Sequence, residues 1–325
     1  MKTGMKILAT PTSLKPDAKN PALDELKKFT SEITYNTAGR PLSEEELRPL
    51  LEDCDGYIAG LDFVTARVVE SCKKLKVISR YGAGVDRVDI DAASRRGIAV
   101  CNTPGANADA VADLAFGLIL SVARRIPALD RLTKEGKWTR STGVELSGKT
   151  IGILGLGAIG KAVAKRAAGF SMRVLAFDPY MDEAYARANG IETAGFGDTV
   201  KNSDILSLHL PLNDETRHVI NGEIMRGMKQ GAIIINAARG GLIDEGAAFE
   251  LLKSGHLGGL GLDAYEEEPP AASPLFELDN VVATPHTGAH TREATANMAL
   301  MAVSNLIDVL SGKECKYVLN KARIK

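Results

Sequence analysis

The sequence is poor in aromatic residues, with one Trp in 325 residues and Phe, Trp and Tyr together at 5%. That is too few to build the rows of stacking platforms on which single-stranded nucleic acids are held. It also lacks an excess of charge of either sign, since 40 Lys and Arg stand against 41 Asp and Glu. The formal net charge of -1 gives no basic field for nucleic acid or an anionic membrane. Cysteine is scarce and scattered. Cys54, Cys72, Cys101 and Cys315 form no C-x-x-C pair, which argues against a zinc site or a disulfide framework and fits a reducing compartment. Long hydrophobic runs are missing as well. The stretch Ile7-Leu8-Ala9 behind Lys2 and Lys6 is far shorter than a signal-peptide core, and no window approaches the roughly 18 apolar residues of a membrane span. A soluble, cytoplasmic protein is expected.

Glycine, by contrast, is abundant at 32 residues, on a background of 45% apolar and 25% charged residues that is ordinary for a globular chain. A length near twice roughly 150 residues suggests two domains. Short β-rich apolar runs alternate with helix-length amphipathic segments from one end to the other, the pattern of βα units feeding a parallel sheet. In the first third, strands are predicted at 6–9, 56–59, 76–79 and 98–101, with helices at 22–29, 43–51, 65–72 and 89–95. A helix at 107–122 is apolar nearly all round and should be packed on several sides. A second series follows, with six strands predicted at 150–154, 173–177, 205–208, 232–235, 257–262 and 281–283. The last helical pattern, 293–310, lies beyond that sheet and is free to return to the first domain. The domains are therefore drawn at 1–105 with 291–325, and at 106–290.

At the head of the second series, Thr150-Ile151-Gly152-Ile153-Leu154 runs into Gly155-Leu156-Gly157-Ala158-Ile159-Gly160, and a helix pattern follows without a break. Strand, glycine turn and helix stand in the order a dinucleotide-binding fingerprint requires. Gly155 permits the tight turn, Gly157 lets the backbone approach a pyrophosphate, and Gly160 allows close helix–strand packing. Asp178, at the end of the next strand, offers a carboxylate to both ribose hydroxyls and would repel a 2′-phosphate, which favours NAD over NADP. A lone G-x-G-x-x-G also occurs as a turn that binds nothing, but here strand, helix and acidic residue all match. A second glycine turn, Tyr81-Gly82-Ala83-Gly84-Val85-Asp86, lacks the third glycine and reads as a turn for a smaller ligand.

Three segments at or just beyond strand ends carry charged or titratable groups: Asn236-Ala237-Ala238-Arg239-Gly240-Gly241, Asp263-Ala264-Tyr265-Glu266-Glu267-Glu268-Pro269-Pro270 and Thr284-Pro285-His286-Thr287-Gly288-Ala289. Ligands of open α/β sheets bind outside the carboxyl ends of the strands, so these segments can converge on a nicotinamide. Their chemistry suits hydride transfer at a hydroxy acid. Arg239 can pair in a bidentate way with a carboxylate, and His286 can take the hydroxyl proton while a carboxylate on its other nitrogen orients it. Taken singly, an Arg after a strand, a run of Glu or a His is more often structural, but together they form a catalytic set. His209, His218, His256 and His290 read as structural, His209 alone ending a strand where it can face a cofactor.

The fingerprint with Asp178, the Ala-Arg-Gly-Gly segment, the acidic run before Pro269-Pro270 and Pro285-His286-x-Gly together resemble the D-isomer-specific 2-hydroxyacid dehydrogenase family over nearly the whole chain. Arg80-Tyr81-Gly82-Ala83-Gly84-Val85-Asp86 and Cys101-Asn102-Thr103-Pro104 look closest to its D-3-phosphoglycerate dehydrogenase branch, in a short form without the regulatory domain of serine-inhibited members. The resemblance implies an α/β fold of two Rossmann-like domains, a doubly wound parallel-sheet NAD domain inserted into a flavodoxin-like substrate domain. It implies Arg239, Glu268 and His286 as the catalytic set. It further implies that Arg80, Ala83 and Gly84 serve the substrate with Arg239 and His286, and that Ala158, Ile159, Leu210, Ala237, Asp263 and Gly288 line the NAD site with Gly155, Gly157, Gly160 and Asp178. The small-molecule partner would be a 2-hydroxy or 2-keto acid, and the family habit is a homodimer formed through 107–122 and on to Trp138. One departure bears on the substrate: where the phosphoglycerate branch often carries an Arg-Ser pair for the phosphate, residues 57–62 read Tyr-Ile-Ala-Gly-Leu-Asp. A glyoxylate or hydroxypyruvate reductase is the alternative among enzymes, and an NAD-responsive binding protein of the corepressor type is the alternative outside them.

Overall fold

The computed structural model describes residues 2–17, 19–270 and 272–323. It is an α/β protein, as the alternating pattern predicts, and falls into two units, Met1–Asn107 with Thr291–Lys325, and Ala108–His290. No helix among the described residues is long and apolar enough to cross a membrane.

In the first unit five parallel strands, β1 (Thr3–Ala9), β2 (Thr30–Tyr35), β3 (Gly56–Ala59), β4 (Val77–Arg80) and β5 (Ala99–Cys101), lie in the order β2-β1-β3-β4-β5. This is the flavodoxin-like order. Leu8, Tyr57, Ile78 and Val100 from the sheet pack with Leu47, Leu51, Val68 and Val69 from the helices Glu44–Leu51 and Ala66–Ser71. The first of these helices starts on a capping box, with Ser43 accepting from the Glu46 N–H and the Glu46 carboxylate accepting from the Ser43 N–H. The helix Arg292–Leu310 packs on β3 and β4, where Ser79 Oγ donates to the Ala302 carbonyl at 2.8 Å. Strand β2 escapes prediction from sequence. It is an edge strand, half of its six residues are exposed, and its Thr-Ser-Glu-Ile-Thr-Tyr contains no apolar run.

In the second unit the sheet has seven parallel strands rather than the six expected. They are β6 (Thr150–Leu154), β7 (Arg173–Phe177), β8 (Glu192–Thr193), β9 (Ile205–Leu208), β10 (Ala232–Asn236), β11 (Leu257–Leu262) and β12 (Val281–Ala283), in the order β8-β7-β6-β9-β10-β11-β12. The extra strand is a two-residue edge, too short to leave a pattern. The central strands are buried on both faces and read as continuous apolar runs. Ile151, Ile153, Ile233 and Ile235 face a core shared with Phe116 and Ile119 of the helix Ala108–Arg124. Leu154, Leu206, Leu208, Ile234, Leu260 and Leu262 face the opposite core with Met225 and Leu251. Strand order reverses between β6 and β9, which makes their carboxyl ends the switch point where a ligand is expected. A further helix, Ile126–Lys134, lies outside the sequence expectations, and it has no buried residue.

Candidate active site and dinucleotide cradle

The glycine turn lies at the switch point, between β6 and the helix Ala158–Gly169. Gly155 adopts φ +97°, and a Cβ there would stand 2.5 Å from the His209 carbonyl oxygen that follows β9. A Cβ on Gly160 would stand 2.0 Å from the Gly155 carbonyl oxygen. Backbone packing alone therefore demands these two glycines. Gly157 is different, because a Cβ there would meet nothing within 4 Å. It is also the N-cap of its helix and supplies no capping side chain, whereas Ser43, Thr65, Asp89, Asp182, Asn221 and Asp244 each cap theirs. The result is a helix N-terminus whose Ala158 and Ile159 N–H groups have no acceptor among the described residues, beside the open space at Gly157, the arrangement that receives a phosphate.

Asp178 follows β7 and ties the cradle to it. One oxygen accepts from the Leu156 N–H at 2.7 Å and the other from the Tyr180 N–H at 2.8 Å. A carboxylate offers about four lone-pair sites, so capacity remains for ribose hydroxyls. Past β9, His209 Nε2 shares a hydrogen bond with Ser207 Oγ at 2.9 Å, while its Nδ1 is buried with no partner among the described residues. Burial pushes its pKa down to about 4, so the ring is neutral at pH 7. Leu210 N lies 3.1 Å from where a Gly155 Cβ would be, Ala158 and Ile159 open the helix, and Ala237 follows β10. Empty space at Gly157, the uncapped helix, the carboxylate after β7 and the orphaned imidazole nitrogen all fit a dinucleotide.

Arg239 sits on a turn braced from below. Asn236, fully buried at the end of β10, accepts from the Ala238 N–H at 3.1 Å and donates its Nδ2 to the Arg239 carbonyl at 2.8 Å. Arg239 Nη1 donates to the Ala238 carbonyl at 2.8 Å. The turn presses on the acidic segment so closely that a Cβ on Gly240 would fall 1.8 Å from the Tyr265 carbonyl carbon. Beside that contact Glu245 and Glu266 exchange bonds, each carboxylate accepting the other's N–H, at 2.8 and 3.1 Å. The turn that carries Arg239 and the segment leading to Glu268 are thus packed backbone against backbone.

His286 Nδ1 lies 2.7 Å from Glu268 Oε1, which also accepts from the Tyr265 N–H at 3.4 Å. With Nδ1–H donated to the carboxylate, neutral imidazole carries its lone pair on Nε2, ready to accept a proton. His286 is held at φ +48°, a left-handed conformation rare outside glycine. Asp263, 2% exposed, holds it there. Its carboxylate accepts from Thr284 Oγ1 at 2.7 Å, the Thr287 N–H at 2.7 Å and the Gly288 N–H at 2.8 Å. Tyr265 donates its hydroxyl to the Thr284 carbonyl at 2.7 Å, and burial pushes that phenol up to about 12, so it remains a donor. Asp263 and Gly288, read from sequence as cofactor-lining, are in the structure bonded to each other in support of the His286 loop.

In the first unit Arg80 ends β4, 6% exposed, and donates to the carbonyls of Ala59 and Tyr81. Its guanidinium lies under the second glycine turn, 3.1 Å from where a Cβ on Gly82 would be. Ala83 and Gly84 are half-buried in that turn. Sequence reasoning missed Asn236, Tyr265 and Asn107, the last having a buried carboxamide oxygen without a partner among the described residues. A polar residue closing an apolar strand, as Asn236 closes Ile-Ile-Ile, was the available signal.

Residues 116–288 match the family model for the D-isomer specific 2-hydroxyacid dehydrogenase NAD binding domain. The chain is 41% identical to a D-3-phosphoglycerate dehydrogenase of Methanocaldococcus jannaschii, over 94% of this chain and 59% of that protein. It thus spans only about 59% of the length of that curated relative. It is 42% identical to a hydroxypyruvate reductase of Thermotoga maritima, over 88% of this chain and 96% of that one. Among solved structures, the TT0316 protein of Thermus thermophilus superposes with a TM-score of 0.85 at 38% identity, covering 97% of this chain and all of the other.

Proposed function

The chain belongs to the D-isomer specific 2-hydroxyacid dehydrogenase family, and on that premise we propose that it is an NAD-dependent oxidoreductase of small D-2-hydroxy acids. The observation that carries this reading is the 2.7 Å His286–Glu268 pair on a loop locked by Asp263, in the same unit as the glycine cradle. Gly155, Gly157, Gly160 and the N-terminus of the helix Ala158–Gly169 would hold the pyrophosphate and Asp178 the ribose. When bound, the nicotinamide supplies the hydride acceptor in one direction and the donor in the other. Arg239 binds the substrate carboxylate through its planar fork. In oxidation Nε2 of His286 takes the hydroxyl proton as the hydride departs from the carbon, leaving a 2-keto acid. In reduction the imidazolium returns that proton to the carbonyl oxygen. Glu268 keeps the ring in the required tautomer and orientation. The second glycine turn, at Ala83 and Gly84, offers backbone N–H groups suited to a carboxylate.

D-3-phosphoglycerate is the first substrate to try. A reductase of glyoxylate or hydroxypyruvate is favoured by one observation: residue 62 is a buried carboxylate, 1% exposed, accepting from the Leu42 N–H at 2.6 Å and from Thr10 Oγ1 and Tyr57. That side chain is itself an acid committed to three internal donors, so it does not itself offer a positive charge to a phosphate. A homodimer is supported by the helix Ile126–Lys134, in which no residue is fully buried, and by Trp138, 85% exposed. The test is a steady-state screen of phosphoglycerate, glycerate, lactate and glyoxylate with NAD(H) and NADP(H). Turnover is expected with a member of this class and with NAD(H) preferred. NADH binding with no turnover of any of them would point to the binding-protein reading instead.

A further inference from the structure

The N–H groups of Ala83 and Gly84 have no acceptor among the described residues, and what aims them lies on the other side of the peptide planes. A peptide unit is rigid, so its carbonyl and its N–H point in opposite directions. Fixing the Gly82 carbonyl therefore aims the Ala83 N–H, and fixing the Ala83 carbonyl aims the Gly84 N–H. Both carbonyls are fixed by the segment that follows β5. Thr103, fully buried, donates its N–H to the Gly82 carbonyl at 3.0 Å and accepts from the Gly82 N–H on Oγ1 at 2.9 Å. Asn102 donates Nδ2 to the Ala83 carbonyl at 2.8 Å.

Asn102 is itself anchored. Asn305, 4% exposed on the helix Arg292–Leu310, donates Nδ2 to the Asn102 carbonyl at 2.9 Å and accepts on Oδ1 from Cys315 Sγ at 3.4 Å. Both ends of the Asn305 carboxamide are thus engaged. The Ala83–Gly84 unit is the one most in need of a lock. It ends in a glycine, whose permissive φ lets the whole plane turn over and carry the N–H away from a ligand.

We propose that Asn102 is a positioning residue for carboxylate recognition, locking the Ala83–Gly84 peptide plane with its N–H outward, with Asn305 as the anchor that holds Asn102 in register. This rests on the reading that the turn receives the substrate carboxylate. The consequence is specific: loss of the lock weakens binding of the acid while leaving dinucleotide binding and fold largely untouched.

The experiment compares wild type, Asn102→Ala, Asn102→Asp and Asn305→Ala for KM of the best 2-keto acid, Ki of oxalate as a dead-end dicarboxylate, Kd of NADH and Tm. Asn102→Ala is expected to raise KM and the oxalate Ki together by about 10-fold, the worth of one misdirected hydrogen bond to a charged group, with kcat less affected. Asn102→Asp is nearly isosteric but presents an acceptor to the carbonyl, which favours the flipped plane, so its effect is expected to exceed that of the alanine variant. Asn305→Ala leaves every atom that touches the turn in place and is expected to show a smaller rise of the same kind. It also serves as the decisive variant should the Asn102 variants fail to fold. A lowered Tm with unchanged KM and Ki in the folded variants overturns the inference, since a merely structural residue would behave so. Wild type that neither turns over a keto acid nor binds oxalate overturns the functional reading and this inference with it. Wild type that does both, with variants that match it, overturns this inference alone.

Discussion

Replacing Gly157 and Gly160 by alanine, one at a time, separates the glycine that serves the ligand from the glycine that serves the fold. At Gly157 the backbone is extended, φ -73° and ψ -162°, which alanine adopts freely, and the new methyl would meet nothing within 4 Å. Losing glycine from the N-cap costs about 0.5–1 kcal/mol. The reduced freedom of the unfolded chain returns about 0.4–1 kcal/mol. The net change is within about 0.5 kcal/mol, so Tm should move by no more than about 2 °C. Binding should respond quite differently, because the methyl fills the space through which a pyrophosphate reaches the helix N–H groups. Loss of one hydrogen bond to a charged group, worth about 1.5–3 kcal/mol, weakens NADH about 10- to 150-fold. At Gly160 the methyl would lie 2.0 Å from a backbone carbonyl, a clash that no rotamer relieves. The helix must move, at a cost of about 1–3 kcal/mol or more, and Tm should fall by several degrees. Thermal melts without dinucleotide and fluorescence titration with NADH measure both quantities. If Gly157→Ala binds NADH within twofold of wild type, or melts as early as Gly160→Ala, the division of roles is wrong.

Asp263→Ala removes the acceptor of the Thr287 and Gly288 N–H groups, so the His286 loop should relax and kcat should fall about 100-fold, the scale of a lost general acid–base; near-normal kcat would show that the loop keeps its shape unaided. Arg239→Lys keeps the charge but loses the planar fork, and KM for the acid should rise about 10-fold with any loss in kcat. An unchanged KM would remove Arg239 from substrate binding. His209, pushed down from 6.5 to about 4 by burial, binds a proton more readily in the unfolded chain, so its contribution to stability is complete above pH 6.5 and lost as pH falls toward 4. The acid limb of Tm against pH should be flatter in His209→Gln than in wild type, and superimposable limbs would refute the assignment.

The fingerprint was legible because strand, turn and helix are contiguous and their glycines obey local rules. Their places in the fingerprint also gave the division of labour, Gly157 for a pyrophosphate and Gly155 and Gly160 for the turn and its packing, but not what the two packing glycines meet, the His209 carbonyl and the Gly155 carbonyl, which only the fold brings against them. Strand β2 was hidden because an edge strand with Glu32 and two threonines carries no apolar alternation. Of the proposed catalytic side chains, Arg239 and His286 could be picked out as charged or titratable groups beyond strand ends, whereas Glu268 was singled out from its acidic run by the family resemblance. The groups that hold them were harder to see, because they bond to backbone far away in sequence.

Those supports nevertheless share a local signature. Asn102, Asp178, Asn236 and Asp263 each stand at the last residue of a parallel strand or one residue beyond it, after Cys101, Phe177, Ile235 and Leu262. Each bonds backbone in a loop at the same end of its sheet: Ala83, Leu156, Arg239 and the pair Thr287 and Gly288. The physical reason is common to all four. At the carboxyl end of a parallel strand the ladder stops, leaving the loop backbone without sheet partners, and a short amide or carboxylate on the strand supplies the missing bond. An apolar run that closes on Asn or Asp therefore marks where a loop is being held still. In this chain those loops carry the cofactor turn, the arginine, the histidine and the free amides of the second glycine turn.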